Sequence, residues 1–405
     1  MRKNEILLDA IGKIDDELIA NAGEVKDRSK TKMWLRCGAL AACLALVVGV
    51  CSVAGWFAPG ESSPELPMLT ISETSGAMGF EGYMAYDISE LINANPWSED
   101  AKITTLPVFR NRLTRDETMN TRGMDFEAMK CLLLDTAERL GMDTYSLVIT
   151  DDTPSAEYQA AVVEKFASVG EEVPEGYFDP TSLIAEQNGI RIEVVPVMNA
   201  TITFDPARAF PNDLGFHYHS PYEDVEKTAE YIKEEYKELL NMNNPVTDIN
   251  GGDYNIYSEQ SFDLCFYNGA DDLTERIINY NFCYTSFSCN ENEELFHVCV
   301  HSCDLSDKVG DYPIITAKEA EKLMLNGNFV TTVPYDFPGG EYVKKVELLY
   351  RVDSRYEYYI PYYRFFVELP EAEREGGMKT YGAYYVPAVE EKYISNMPLW
   401  DGSFN

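Results

Sequence analysis

The strongest constraint on this chain is a run of 21 residues without a charge, CGALAACLALVVGVCSVAGWF, over residues 37–57. At about 1.5 Å per residue a helix of this length spans about 30 Å, the hydrocarbon thickness of a bilayer. Trp34 and Trp56 bracket the run, as interfacial anchors do, and Pro59-Gly60 ends it. Lys26, Arg28, Lys30, Lys32 and Arg36 precede it, opposed there only by Asp27, and Glu61 and Glu65 follow. Positive flanks stay on the cytoplasmic side. The expected topology is therefore a single-pass protein of the cell membrane, with a cytoplasmic N-terminus and an extracellular C-terminal region. A cleaved signal peptide carries a shorter basic segment before its apolar core. Leu40-Ala41-Ala42-Cys43 spells a lipobox, but only six residues separate Arg36 from Cys43, fewer than such a core needs.

The charge is unevenly placed. Of a net −35 over 405 residues, residues 1–36 contribute almost nothing, with 8 Lys+Arg against 7 Asp+Glu. Residues 58–405 carry 25 against 61. An acidic body of this kind excludes nucleic acid as a partner, because binding it requires a basic face. It attracts cations and basic partners, and it solubilises the body. A hydrophobic content of 45% is ample for a core, so global disorder is not expected.

Leu7, Ile11, Ile14 and Leu18 recur at helical spacing in NEILLDAIGKIDDELIANA, with Asp9, Lys13, Asp16 and Glu17 off that stripe. This amphipathic helix either lies on the membrane surface or docks a cytoplasmic partner in a groove. The helix, its basic linker and the WLRCGALAACLALVVG that follows resemble the heads of uncharacterised single-pass membrane proteins of Gram-positive gut bacteria. Some of those heads are like membrane-anchored anti-sigma factors. The resemblance covers residues 4–50 and implies a sigma factor or signalling protein as partner of residues 4–22. The zinc-binding His/Cys motif of many anti-sigma domains is absent, since no histidine precedes Cys37, the first cysteine.

Beyond the membrane run the pattern is α+β, and it suggests five parts. Residues 1–33 are the cytoplasmic helix and basic linker, and 34–57 the transmembrane helix. Residues 58–80, rich in Pro, Ser, Gly and Glu, form a linker. Residues 81–250 form a mixed domain and 251–405 a β-rich one. Asp125 and Ser155 cap helices that stop at Gly141 and Gly170. YSLVIT reads as a strand, and IRIEVVPV and ATITF as a hairpin around Met198-Asn199. Ser220-Pro221-Tyr222-Glu223 has capping-box spacing and opens a helix through Leu240. DINGGD, Asp248 to Asp253, reads as a turn. Residues 256–303 read as strands, and Thr316 caps a helix ending near Gly327.

The ITAKEAEKLMLNGNF helix, then YYIPYYRFFVEL and YGAYYVPAV, resemble the C-terminal modules of YycH/YycI and PepSY-like regulatory ectodomains. The residues that carry this are Tyr359, Pro361, Tyr363 and Phe365, with Tyr385, Val386 and Ala388. Proteins of that kind are anchored, restrain a sensor or a protease, and have no catalytic residues, which implies an extracytoplasmic protein or peptide as partner.

No P-loop, dinucleotide fingerprint, HExxH or GxSxG is present. The chemistry that remains is in FHVCVHSC, residues 296–303. With NYNFCYTSFSC it flanks NENEE, which predicts a hairpin. Alternation puts His297, Cys299, His301 and Cys303 on one strand face, and Cys283 and Cys289 on one face of the neighbour. Three readings follow: a zinc site, a cross-strand disulfide, or a half-buried strand with free thiols. Three functions follow in turn. One is a regulator or sensor acting by binding without catalysis or cofactor. Another is a metal- or redox-responsive surface protein. The last is a surface hydrolase of unrecognised type, with paired carboxylates left open among 68 acids.

Overall fold

The computed structural model describes residues 66–72, 80–115, 121–122, 124–212, 214–353, 355–374 and 376–402. The expected helix carrying Leu7, Ile11, Ile14 and Leu18 and the expected span 37–57 lie outside the described residues. Among the described residues no helix is long and apolar enough to cross a membrane.

The described residues form a mixed α+β body, mostly sheet, with six α-helices among them. In chain order its first elements are β1 (Gly82–Ala85), β2 (Thr105–Arg110), β3 (Thr114–Arg115), β4 (Thr121–Arg122), α1 (Phe126–Arg139), β5 (Ile149–Asp151) and α2 (Ala156–Ser168). Then come β6 (Leu183–Gln187), β7 (Ile190–Val195), β8 (Asn199–Arg208), α3 (Tyr222–Glu235), α4 (Lys237–Leu240), β9 (Pro245–Tyr254), β10 (Gln260–Asn268) and α5 (Leu273–Phe282). The chain continues with β11 (Tyr284–Cys289), β12 (Leu295–His301), β13 (Lys308–Pro313), α6 (Ala317–Leu325) and β14 (Val330–Thr331). It closes with β15 (Val343–Tyr350), β16 (Tyr358–Tyr359), β17 (Pro361–Glu368) and β18 (Lys379–Pro387).

The local signals act as polar groups at helix ends require. Asp125 Oδ1 accepts the Ala128 N–H at 3.0 Å and starts α1. Ser155 Oγ accepts from Tyr158 at 3.3 Å and starts α2. Thr316 and Glu319 make a reciprocal capping box on α6. Gly141 at φ +74° allows the left-handed turn after α1.

Eight antiparallel strands form the main sheet, in the order β5-β6-β7-β8-β12-β11-β10-β9. One face packs under α1 and α3. Met129, Leu133, Val225 and Ile232 from the helices meet Ile192, Ile202, Leu264 and Val298 from the strands. The burial of β7 alternates residue by residue, so the opposite face is open and polar. A second sheet, β1-β18-β17-β15 with β14 on β18, has β17 and β18 buried almost continuously. Both of its faces are covered, so its tyrosines are packing groups: Tyr363, Phe365 and Tyr384 on one side, Tyr362 and Tyr385 on the other. A three-stranded sheet, β13-β2-β16, completes the body.

Several sequence expectations change. The isoleucines and aromatics of residues 273–282 favour a strand, but the segment is the helix α5. Asp272 Oδ1 in fact caps it by accepting the Glu275 N–H at 2.9 Å. Ser220 does not cap α3; its hydroxyl accepts the His217 N–H at 2.9 Å, and Pro221 stands at the helix start. The helix is also interrupted at Tyr236 before α4. DINGGD is not a turn but lies within β9, where pairing shifts between Gln260 and Phe262 of β10. Gly251 and Gly252 sit there at φ +124° and +87°, and a Cβ on Gly252 would collide with the Glu90 carbonyl. The expected boundary at 250/251 falls inside β9, and one sheet takes strands from both sides of it. Part of the expected linker belongs to the body, since Leu69 is fully buried and bridges to Ile394.

Candidate functional site

The open face of the main sheet, α5 and the edge of the second sheet enclose a cleft of about 460 Å³. Period-two alternation selects what the sheet presents to it. Phe262, Leu264, Phe266 and Phe287 point to the helix-covered core, so their neighbours Asp263, Cys265, Tyr267, Ser286 and Ser288 line the cleft together with Asp248. α5 contributes Tyr280 and Asn281, and the second sheet contributes Tyr350 and Arg364. Asn281 joins the two walls, because its Oδ1 accepts the Tyr350 N–H at 3.0 Å.

A strap of chain, residues 92–95, ties the walls together behind the cleft. Ile92 exchanges two backbone hydrogen bonds with Gly251 of β9, at 3.0 and 3.1 Å. The Ala94 N–H donates to Asp248 Oδ1 at 2.6 Å, and the Tyr267 hydroxyl donates to the Ala94 carbonyl at 2.8 Å. The intervening side chains reach the other wall. Asn93 Nδ2 donates to Glu347 Oε1 at 2.8 Å, and Asn95 Nδ2 to the Leu348 carbonyl at 3.1 Å.

Two charged features define the site. Arg364 donates through Nη2 and Nε to Glu347 Oε2 at 2.5 and 3.1 Å, and Lys345 Nζ lies 2.8 Å from Glu347 Oε1. Burial raises the Glu347 carboxyl, but Arg364 and Lys345 outweigh it and bring its pKa down to about 2. Asp248 is the opposite case. It is 6% exposed, and burial, with the nearby Glu347 charge, pushes its carboxyl up to about 6 against the hydrogen bond from Ala94. Among the described residues its second oxygen has no hydrogen-bond partner, and no cation makes an ion pair with it.

Between about pH 4 and pH 6 the folded protein holds a proton at Asp248 that the unfolded chain has released. Stability from this group is therefore present below the unfolded pKa and is lost as pH rises through the folded one. Asp248→Asn is expected to flatten that slope and to raise stability at neutral pH by about 2 kcal/mol. Urea unfolding of both proteins across this range checks it; an unchanged slope contradicts the shifted carboxyl.

The expected metal or disulfide face is not assembled. His297, Cys299 and His301 do share one face, and His301 lines the cleft with its ring stacked on Tyr284 at 4.0 Å and 20°. Burial lowers its pKa to about 4, so it is neutral at physiological pH. The register, however, sets Ser286 and Ser288 opposite Cys299 and His297, while Thr285 and Phe287 pair with Val300 and Val298 on the covered face. Cys283 lies at the end of α5 and packs with Cys303 against the core of the second sheet. Cys289, past a bulge in β11, packs against the core of the main sheet. The six groups are thus split among three places. All six cysteines of the described residues are free thiols, and among those residues no group of three or more His, Cys, Asp or Glu could hold a metal ion. Burial raises the Cys283 thiol to about 11 and the Cys289 thiol to about 12, which opposes the thiolate that ligation or exchange requires.

The cleft residues Asp248, Asp263, Tyr280 and Arg364 were not singled out from the sequence. The available signal was a pair of acids on adjacent polar-faced strands, one of them inside DINGGD. No family model matches the chain, and no curated protein matches it in sequence.

Proposed function

We propose that this chain is a membrane-anchored, single-pass extracytoplasmic sensor or regulatory protein that acts by binding, without catalysis. The supporting observation is the cleft, a recessed polar and aromatic space with a buried carboxyl group whose second oxygen is unpartnered. Its size fits a small molecule or one or two peptide side chains. Its lining cysteine, Cys265, is kept protonated by burial, and its histidine stacks on a tyrosine. Both features suit recognition better than nucleophilic attack. In this reading the body faces outward, and the helix with Leu7, Ile11, Ile14 and Leu18 carries the response to a cytoplasmic sigma factor or signalling protein.

The test has two arms. Protease added outside intact cells should digest the body and spare residues 1–33. Thermal unfolding of the full chain in detergent, screened against small polar metabolites and short peptides, should show stabilisation by at least one class of ligand. Ser288→Trp, which fills the cleft from an exposed position, should abolish that stabilisation. A body protected from external protease, or the absence of any ligand shift, would overturn the reading.

A surface hydrolase is the second reading. It draws on the raised Asp248 carboxyl, a candidate general acid, next to Asp263 on the adjoining strand. Turnover of a glycoside or ester that disappears in Asp248→Asn would favour it over binding alone.

A further inference from the structure

We infer that the cleft recognises an organic ammonium group, carried by a free amine or by a peptide lysine or N-terminus. This rests on the binding reading above and names the ligand chemistry of that site. The argument begins with charge. Arg364 faces the cleft, but Glu347 takes its guanidinium, and Glu81 lies 4.0 Å from its Nη1. Lys345 also pairs with Glu347. Two cations thus meet two carboxylates, and the group is balanced. Asp248 and Asp263 remain, on adjacent strands of the same wall. Among the described residues no Lys, Arg or His makes an ion pair with either. The surplus among the lining side chains is therefore negative and partly withdrawn from water; the Arg364 charge reaches Asp248, and Arg276 of α5 acts on Tyr267 from outside the lining.

The aromatic lining supplies the second half. Tyr267 and Tyr280 meet edge to face, with centroids 5.5 Å apart and planes at 83°, and Tyr284 stands beside them on β11. Tyrosine rings within about 6 Å of a cation attract it through their quadrupole, most strongly where water is excluded. A carboxylate with a free oxygen accepts an N–H of the same group. Anionic ligands would meet uncompensated carboxylates, and a neutral sugar would leave the Asp248 charge unpaired. The burial that makes ionised Asp248 unfavourable in the empty cleft is offset when a cation arrives.

Isothermal titration of the full chain in neutral detergent at pH 7.5 tests this. The probes are 1,5-diaminopentane for a free amine and Nα-acetyl-lysine amide for a peptide side chain, with glucose and acetate as controls. At least one amine should bind, and the stronger of the two identifies the source. Asp248→Asn should weaken binding by about tenfold or more. Tyr280→Leu should weaken it by about fivefold, while Tyr280→Phe, which keeps the ring, should change it little. Ser288→Trp should block binding without altering charge. Amine binding that survives Asp248→Asn and Ser288→Trp would be general attraction to an acidic surface and would overturn the inference. Binding of glucose or acetate but not amines would overturn it and leave the sensor reading standing. Failure of every probe in this titration, together with a failed metabolite screen, would remove both.

Discussion

Glu347→Ala is expected to destabilise the protein by about 3–5 kcal/mol, because it strands a buried cation. Glu347 is 3% exposed. Its two oxygens accept from Arg364, Lys345 and Asn93, so one carboxylate links β15, β17 and the strap. Removing it leaves Arg364 without its main partner in a desolvated position. A double change, Glu347→Leu with Arg364→Met, should lose much less, since a buried pair replaced by apolar groups of similar volume is often neutral. The acid limb carries a second signature. The depressed Glu347 pKa contributes stability that is present above about pH 4.5 and is lost as pH falls toward 2. That part of the acid sensitivity should vanish in the alanine variant. Urea midpoints from pH 2 to 7 measure both effects, and a loss below about 1 kcal/mol at neutral pH would show that the pair is not isolated from water.

Phe282→Ala is expected to have a similar effect by another route. The ring is 2% exposed. It meets Phe109 at 6.1 Å, Tyr350 at 4.9 Å and Tyr359 at 5.4 Å. Those partners come from β2, β15 and β16, so one side chain at the end of α5 fastens helix, second sheet and three-stranded sheet. Truncation removes the transfer energy and leaves a cavity that rigid neighbours cannot close, about 3–5 kcal/mol in all. Phe282→Leu should lose less than half of that. Equal losses in the two variants would point to a geometric role for the ring rather than its volume.

Helix starts were legible where one side chain decides them. Asp125, Ser155 and Thr316 each satisfy an orphan N–H within their own turn, and no distant contact is needed. The β7–β8 hairpin was legible for the same reason, with Met198 taking the positive φ between two alternating runs. α5 was not legible, because Ile277 and Phe282 gain their burial from strands far away in sequence. The candidate site was least legible of all. FHVCVHSC showed that His297, Cys299 and His301 share a face but not that Cys303, past the end of β12, leaves it; register decides what lies across from them, and a slip of one residue exchanges the faces. Alternation left that register open, and in the fold Ser286 and Ser288 stand opposite Cys299 and His297. Asp248 appears in sequence as one acid among 68; only the approach of residues 92–95 and β15 makes it a buried carboxyl.

The closure near Leu69 has a mechanical consequence. The Leu69 N–H donates to the Tyr393 carbonyl at 2.7 Å and the Leu69 carbonyl accepts the Ser395 N–H at 2.8 Å, and Asn396 clasps both the N–H and the carbonyl of Ile71 at 2.8 Å. The two segments run parallel. Tension transmitted along the chain into residue 66, if aligned with this ladder, would load all four bonds together in shear rather than opening them one at a time. Such a load would pass from residues 69–71 directly into the C-terminal segment that this ladder joins to them.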